Sequence, residues 1–277
     1  MLTSNGYRLD ESRLGALEPV PDAIRDDRDA LWQRLRRDGY LFLRGALDPD
    51  RVWAFRRYYF AELVPTGLVA DAARGTVGGA DPDAAQLRHI LFRRIVPGPE
   101  YLAFCTQPAI HDWFGWFLGD RPFLHRRKLI RHTRPGESGV GTATQAHYDL
   151  VYLREGTDRV LSAWIPLGDC PTSLGGLTYL QGSHHRVLAE ERAGGVRPAG
   201  WITADLPQLA ERYDSRWLVT DYAAGDLVIH SAYVIHAALD NVDPHGTMRL
   251  STDIRYQRSD LAIDWRWQRD WHDRDGL

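Results

Sequence analysis

The sequence predicts a mainly β chain with N-terminal helices laid outside an antiparallel sandwich or barrel, and three observations carry that reading. Up to about residue 120, apolar residues recur at helical spacing. After Pro122 the texture turns to short strands punctuated by Gly, Pro and Asp. No internal repeat or low-complexity tract divides the 277 residues. We therefore expect one domain over 1–277: a helical part at about 1–120, a β-core at about 121–260 and a Trp-rich tail at 261–277.

Taken in order, residues 1–25 hold Pro19, Pro21 and scattered charges, and are expected to lie as an arm on the surface. From Asp27 to Arg37, Ala30, Leu31 and Leu35 recur among charges as on an amphipathic helix, which Gly39 ends. Tyr40 to Arg44 is a short apolar strand, and Asp48 caps a second helix through about Leu63. Gly75, Gly78 and Gly79 make 65–85 a mobile loop, a candidate lid. Ala109–Leu118 adds another helix before Gly119. Strands are expected within 123–132, 144–153, 160–166, 177–180, 217–220, 226–229, 234–239 and 248–256. A polar insertion at 184–216, with a short helix near 206–213, interrupts them as a second candidate lid. The tail from Asp264 to Asp273 packs back onto the core, walls a substrate or makes a subunit contact.

The net charge of −3, from 34 basic and 37 acidic residues spread along the chain, gives no field that would recruit nucleic acid or an anionic membrane. No long apolar run or basic leader suggests a membrane span or export, and two cysteines are too few for a disulfide framework. A cytoplasmic monomer or homodimer acting on a small molecule is the expectation. Nearly every cation is Arg; Lys128 is the only lysine.

The chemistry centres on Gln145-Ala-His147-Tyr-Asp149, which sets an imidazole and a carboxylate two residues apart, on one face if the segment is extended. Far downstream, His236 and Arg249 flank the turn-rich segment Asp240 to Gly246. A hairpin about Asp243 would set His236 opposite Leu250, beside Arg249. Two histidines and a carboxylate with open positions suit non-haem Fe(II) and O2. An Arg nearby can clamp a distant carboxylate of a 2-oxo acid bidentately. His230 shares strand parity with His236 and competes as the second imidazole; Arg255 shares parity with Arg249 and competes as the clamp.

The sequence resembles the phytanoyl-CoA dioxygenase family of Fe(II)/2-oxoglutarate-dependent oxygenases. The resemblance runs in order through Asp38 to Gly45, Arg134-Pro-Gly, His147-Tyr-Asp149, Ser162-Ala-Trp164, Gly175-Gly with Gln181 to His184, Gly225-Asp226, and His236 through Asn241 to Arg249. It implies a double-stranded β-helix, or cupin-like jelly roll, with iron held by His147, Asp149 and His236 and with 2-oxoglutarate held by Arg249. Lys128 would be a second cosubstrate anchor and Trp164 would face the site, with Gln145 and Arg255 turned to substrate. Because Asp149 stands where halogenating relatives carry a small residue, hydroxylation-type chemistry is favoured. The Arg- and Trp-rich surroundings suggest a polar metabolite, sugar-containing or amino-acid-derived, undergoing hydroxylation or oxidative ring closure. A metal-binding cupin-like isomerase and a non-catalytic binding module are the rival readings.

Overall fold

The strand Arg249–Arg258 organises the molecule, and its sequence says how. Leu250, Ile254 and Tyr256 alternate with Arg249, Ser251, Asp253 and Arg255, and nearly all are buried. A strand covered on both faces but apolar on only one lies between an oily layer and a polar interior. In the computed structural model, which describes residues 1–79, 81–137 and 139–273, that is its position.

On one side this strand pairs antiparallel with Leu161–Pro166, with Asp253 opposite Trp164. On the other its two halves pair with Leu129–Thr133 and Pro122–Leu124. Leu227–Ser231 and Tyr40–Leu43 complete a six-stranded sheet. The second sheet runs His236–Ala238, Leu177–Leu180, Trp217–Val219, Leu14–Ala16, the last pair parallel. Isolated bridges His147–His236 and Ala146–Thr203 widen it by two short segments. Tyr40, Phe42, Trp164 and Val228 from the larger sheet share one buried cluster with Leu177, Tyr179, Leu218 and Ala238 from the smaller. The two sheets therefore face each other, and the site lies between them.

The opposite face of the larger sheet is covered by helices. In Arg28–Asp38 the N-cap Asp27 accepts from the Ala30 amide, Leu31 and Leu35 turn inward, and Gly39 closes the helix at φ 80°. Pro49–Leu63 starts on the Asp48 cap and buries Tyr59, Phe60 and Leu63. Pro108–Leu118 sets Phe114 in a stack on Tyr256, ring centroids 4.4 Å apart.

Several expectations are corrected. The N-terminal arm is part of the sheet: Leu14–Ala16 is its edge strand, Leu9 and Leu17 are buried, and the Asp240 carboxylate accepts from the Asn5 and Gly6 amides at 2.7 and 3.0 Å. The 65–85 stretch carries a ribbon, Val69–Asp71 with Thr76–Val77, tied to the core where the Met248 amide donates to the Gly75 carbonyl. Residues 144–153 form no regular strand; they give bridges at Ala146 and His147 and then the 3-10 turn Asp149–Tyr152. The insertion has two helices, Ser183–Arg192 and Leu206–Tyr213. There is also no hairpin about Asp243, because His236–Ala238 pairs with Leu177–Leu180 while Arg249 starts the long strand of the other sheet. The connecting residues are tied elsewhere. Asn241 Nδ2 donates to the Thr133 and Thr247 carbonyls, and Asp240 holds the N-terminal arm.

Candidate active site

His147 and Asp149 come to one face because Tyr148 between them is extended, at φ −128° and ψ 147°. The bridge to His236 lays the two imidazoles side by side, with ring centroids 4.3 Å apart. Each histidine has Nδ1 against a main-chain carbonyl, His147 to Gln145 at 2.8 Å and His236 to Val234 at 3.1 Å. A carbonyl only accepts, so Nδ1 carries the proton and Nε2 keeps its lone pair. The two Nε2 atoms lie 3.8 and 3.9 Å from Asp149 Oδ1, and the ligating atoms of all three residues fall within 4.8 Å of one another.

Burial pushes the His147 imidazole down to about 4 and that of His236 well below its usual range, so both are in the neutral, ligating form at pH 7. Burial works against the Asp149 carboxylate, but Arg255 and then the His230 hydrogen bond outweigh it and hold the group well below the usual range. Two neutral imidazoles and an anionic oxygen this close together are a donor set that fits Fe(II). His230 stands behind them: its Nε2 donates to Asp149 Oδ2 at 3.3 Å and its Nδ1 accepts from the Tyr179 hydroxyl at 3.1 Å. Ser162 Oγ donates to the same Oδ2.

Arg249 and Arg255 both point inward, as their parity requires, but their partners differ. Arg255 donates to Asp149 Oδ1 at 2.9 Å and to Asp253 Oδ2 at 3.0 Å, so its charge is spent on these two carboxylates. Arg249 has no such anion. Its Nη1 donates to the Gly175 carbonyl and its buried Nε has no partner. A Cβ at Gly175, itself at φ 81°, would sit 2.4 Å from the Leu239 carbonyl oxygen, so only glycine brings that backbone close enough.

Trp164 lines the cavity and packs against Tyr222 at 4.8 Å between ring centroids. Gln145 lines the adjoining cavity and contributes its carbonyl to His147. Lys128 is elsewhere. It sits one residue before the strand Leu129–Thr133, on the even-numbered, helix-facing side, with Nζ donating to the Arg126 carbonyl and lying 5.4 Å from the Tyr101 ring centre. The cation that this strand turns inward is Arg131, opposite Ser251. Sequence reasoning missed Arg131, Asp253 and Ser162, although parity with Arg249, Arg255 and Trp164 would have found the last two. Trp201 from the 184–216 insertion and Trp267 from the tail complete the wall, and no described residue of 65–85 lines it.

Two imidazoles and a carboxylate converging between two sheets, with an anion-seeking guanidinium across the cavity, define the class of a non-haem iron oxygenase. Residues 35–249 match the phytanoyl-CoA dioxygenase (PhyH) family, and the chain belongs to it: it is an Fe(II)/2-oxoglutarate-dependent dioxygenase. The 1-deoxypentalenic acid 11-beta-hydroxylase of Streptomyces exfoliatus is 28% identical over 248 residues, covering 84% of this chain and 82% of that protein. Among solved structures, the alpha ketoglutarate-dependent carbocyclase SnoK from nogalamycin biosynthesis has a TM-score of 0.59 at 22% identity, covering 89% of each chain. The epimerase SnoN, in complex with Fe3+, alpha ketoglutarate and nogalamycin RO, has a TM-score of 0.57 at 22% identity, covering 86% of each. At this identity the likeness to SnoK and SnoN is one of fold.

Proposed function

We propose that this chain oxidises a C–H bond of a polar small molecule, by hydroxylation or by oxidative closure of a C–O ring, as a tailoring step in the biosynthesis of a specialised metabolite. The two facing sheets are read as a double-stranded β-helix, and the chain as one oxygenase unit. His147, Asp149 and His236 would hold the iron, and Arg249 the far carboxylate of 2-oxoglutarate. The observation that carries the reading is the convergence of the two Nε2 atoms and Asp149 Oδ1 across the cavity from an Arg249 that lacks an anionic partner.

When bound, iron with 2-oxoglutarate and O2 supplies the oxidising power, the oxo acid leaving as succinate and carbon dioxide. The chain's own residues do the rest. The main-chain carbonyls of Gln145 and Val234 fix the two imidazoles in the ligating tautomer. Arg249 on its glycine perch orients the cosubstrate. Trp164, Tyr152 and Trp201 narrow the cavity and keep water from the reacting carbon. Hydroxylation-type chemistry is supported by the carboxylate at 149.

Anaerobic addition of Fe(II) and 2-oxoglutarate should give a visible charge-transfer band. His236→Ala should abolish it, and a band that survives would show the ligand set to be wrong. Arg249→Ala should weaken 2-oxoglutarate binding by about tenfold or more, the scale of a lost bidentate charge pair. Arg255→Ala should instead weaken metal binding. Succinate release that depends on a candidate compound identifies the substrate.

A further inference from the structure

The cavity at the metal site is more cationic than its cosubstrate needs. Three guanidinia, Arg131, Arg249 and Arg255, line it against two carboxylates, Asp149 and Asp253. Both carboxylates are already bonded to Arg255. A divalent iron and a dianionic 2-oxoglutarate cancel each other, so loading the site leaves the excess in place. Arg131 carries it. Among the described residues the Arg131 side chain makes no hydrogen bond or ion pair; its guanidinium lies 5.8 Å from the Trp271 ring and feels the charge of Asp253, a carboxylate already bonded to Arg255. Burial holds its pKa below the ordinary value against the opposing pull of Asp253, with Arg255 adding to the depression, and Arg131 in turn depresses Arg127 and Arg249. A half-buried cation among other cations, whose opposing carboxylate already bonds Arg255, is stabilised by an incoming anion.

Its position says which anion. Arg131 and Trp201 line both the metal cavity and the adjoining cavity that runs past Thr142 and Gln145, so a molecule moving from one to the other passes between a guanidinium and an indole. Trp201 is 47% exposed and lies edge-on to His147, ring centroids 5.0 Å apart, which puts an apolar surface within reach of the metal ligands. Arg249 already has its task at the cosubstrate. We propose that the substrate carries an oxyanion, a carboxylate or a phosphate ester, that pairs with Arg131 while an apolar ring or chain lies against Trp201. This rests on the proposed function and narrows its substrate to an anionic one.

The test uses the full chain loaded with Ni(II) and 2-oxoglutarate, titrated calorimetrically with cyclohexanecarboxylate, cyclohexyl phosphate and cyclohexanecarboxamide. At least one of the two anions should bind about tenfold tighter than the neutral amide, and which one does tells carboxylate from phosphate. Arg131→Gln should erase that preference while 2-oxoglutarate still binds the metal-loaded protein, and Arg131→Lys should restore part of it. If 2-oxoglutarate itself fails to bind the wild type, the proposed function falls and this inference with it. If it binds but neither anion is preferred, this inference alone is overturned. An Arg131→Gln protein that loses 2-oxoglutarate instead of the anion assigns Arg131 to the cosubstrate and also overturns it.

Discussion

Asp149 presents two oxygens with different surroundings, and that difference is what prepares it to bind a metal. Oδ2 is capped by Ser162 and His230, whereas Oδ1 faces both imidazoles and takes one bond from Arg255. Capping Oδ2 leaves Oδ1 as the ligand atom. His230→Ala and Ser162→Ala should each lower metal affinity by about 10- to 100-fold, the range found for partners of metal ligands. Chelator competition measures this, and wild-type affinity in both variants would sink the argument. Gly175 makes a parallel case on the cosubstrate side. Gly175→Ala forces a Cβ against Leu239 at a positive φ and moves the carbonyl that holds Arg249 Nη1. It should weaken 2-oxoglutarate binding several-fold, seen as a shifted midpoint of the charge-transfer titration, with metal affinity retained.

At the scale of elements, the N-terminal edge strand Leu14–Ala16 depends on a clamp outside the sheet, the Asp240 carboxylate on the Asn5 and Gly6 amides. Removing one partner of a buried, charge-assisted pair costs about 2–3 kcal/mol. Asp240→Ala should therefore lower the urea midpoint and let trypsin cut after Arg8 and Arg13 before the rest of the chain; cleavage no faster than in the wild type would contradict it. This element also shows where sequence reading stops. Periodicity placed Leu161–Pro166, Leu177–Leu180 and the long strand closely, because residue alternation is a local property. It also set Arg249 and Arg255 on one face. Which strand lies beside which is not local. The turn-rich 240–246 segment reads like a hairpin, yet its Asp240 and Asn241 bond to distant backbone, so His236 and Arg249 meet across the cavity from opposite sheets. Lys128 faces the helices for a related reason: the resemblance marks its neighbourhood, but one step of register sends a side chain to the other face.

For the whole molecule, burying neutral histidines in a core ties folding to pH. His125 has both ring nitrogens satisfied while uncharged, Nε2 donating to Gln257 at 2.9 Å and Nδ1 accepting from Gln268 at 3.0 Å. His132 Nδ1 accepts from the Tyr59 hydroxyl at 2.7 Å. Burial pushes each imidazole down to about 4. The unfolded chain, with imidazoles near 6.5, takes up these protons first as pH falls, so it gains stability over the folded state between about pH 6.5 and 4. Above that window the two groups contribute no slope. At pH 5 each costs about 2 kcal/mol, together a large share of the 5–15 kcal/mol of a typical domain. Chemical denaturation at pH 7, 6 and 5 should show stability falling steeply only below about 6.5. His132→Gln, which cannot protonate, should flatten that fall by roughly half of the two-histidine share. An unchanged slope in His132→Gln would mean that this imidazole is charged in the native state.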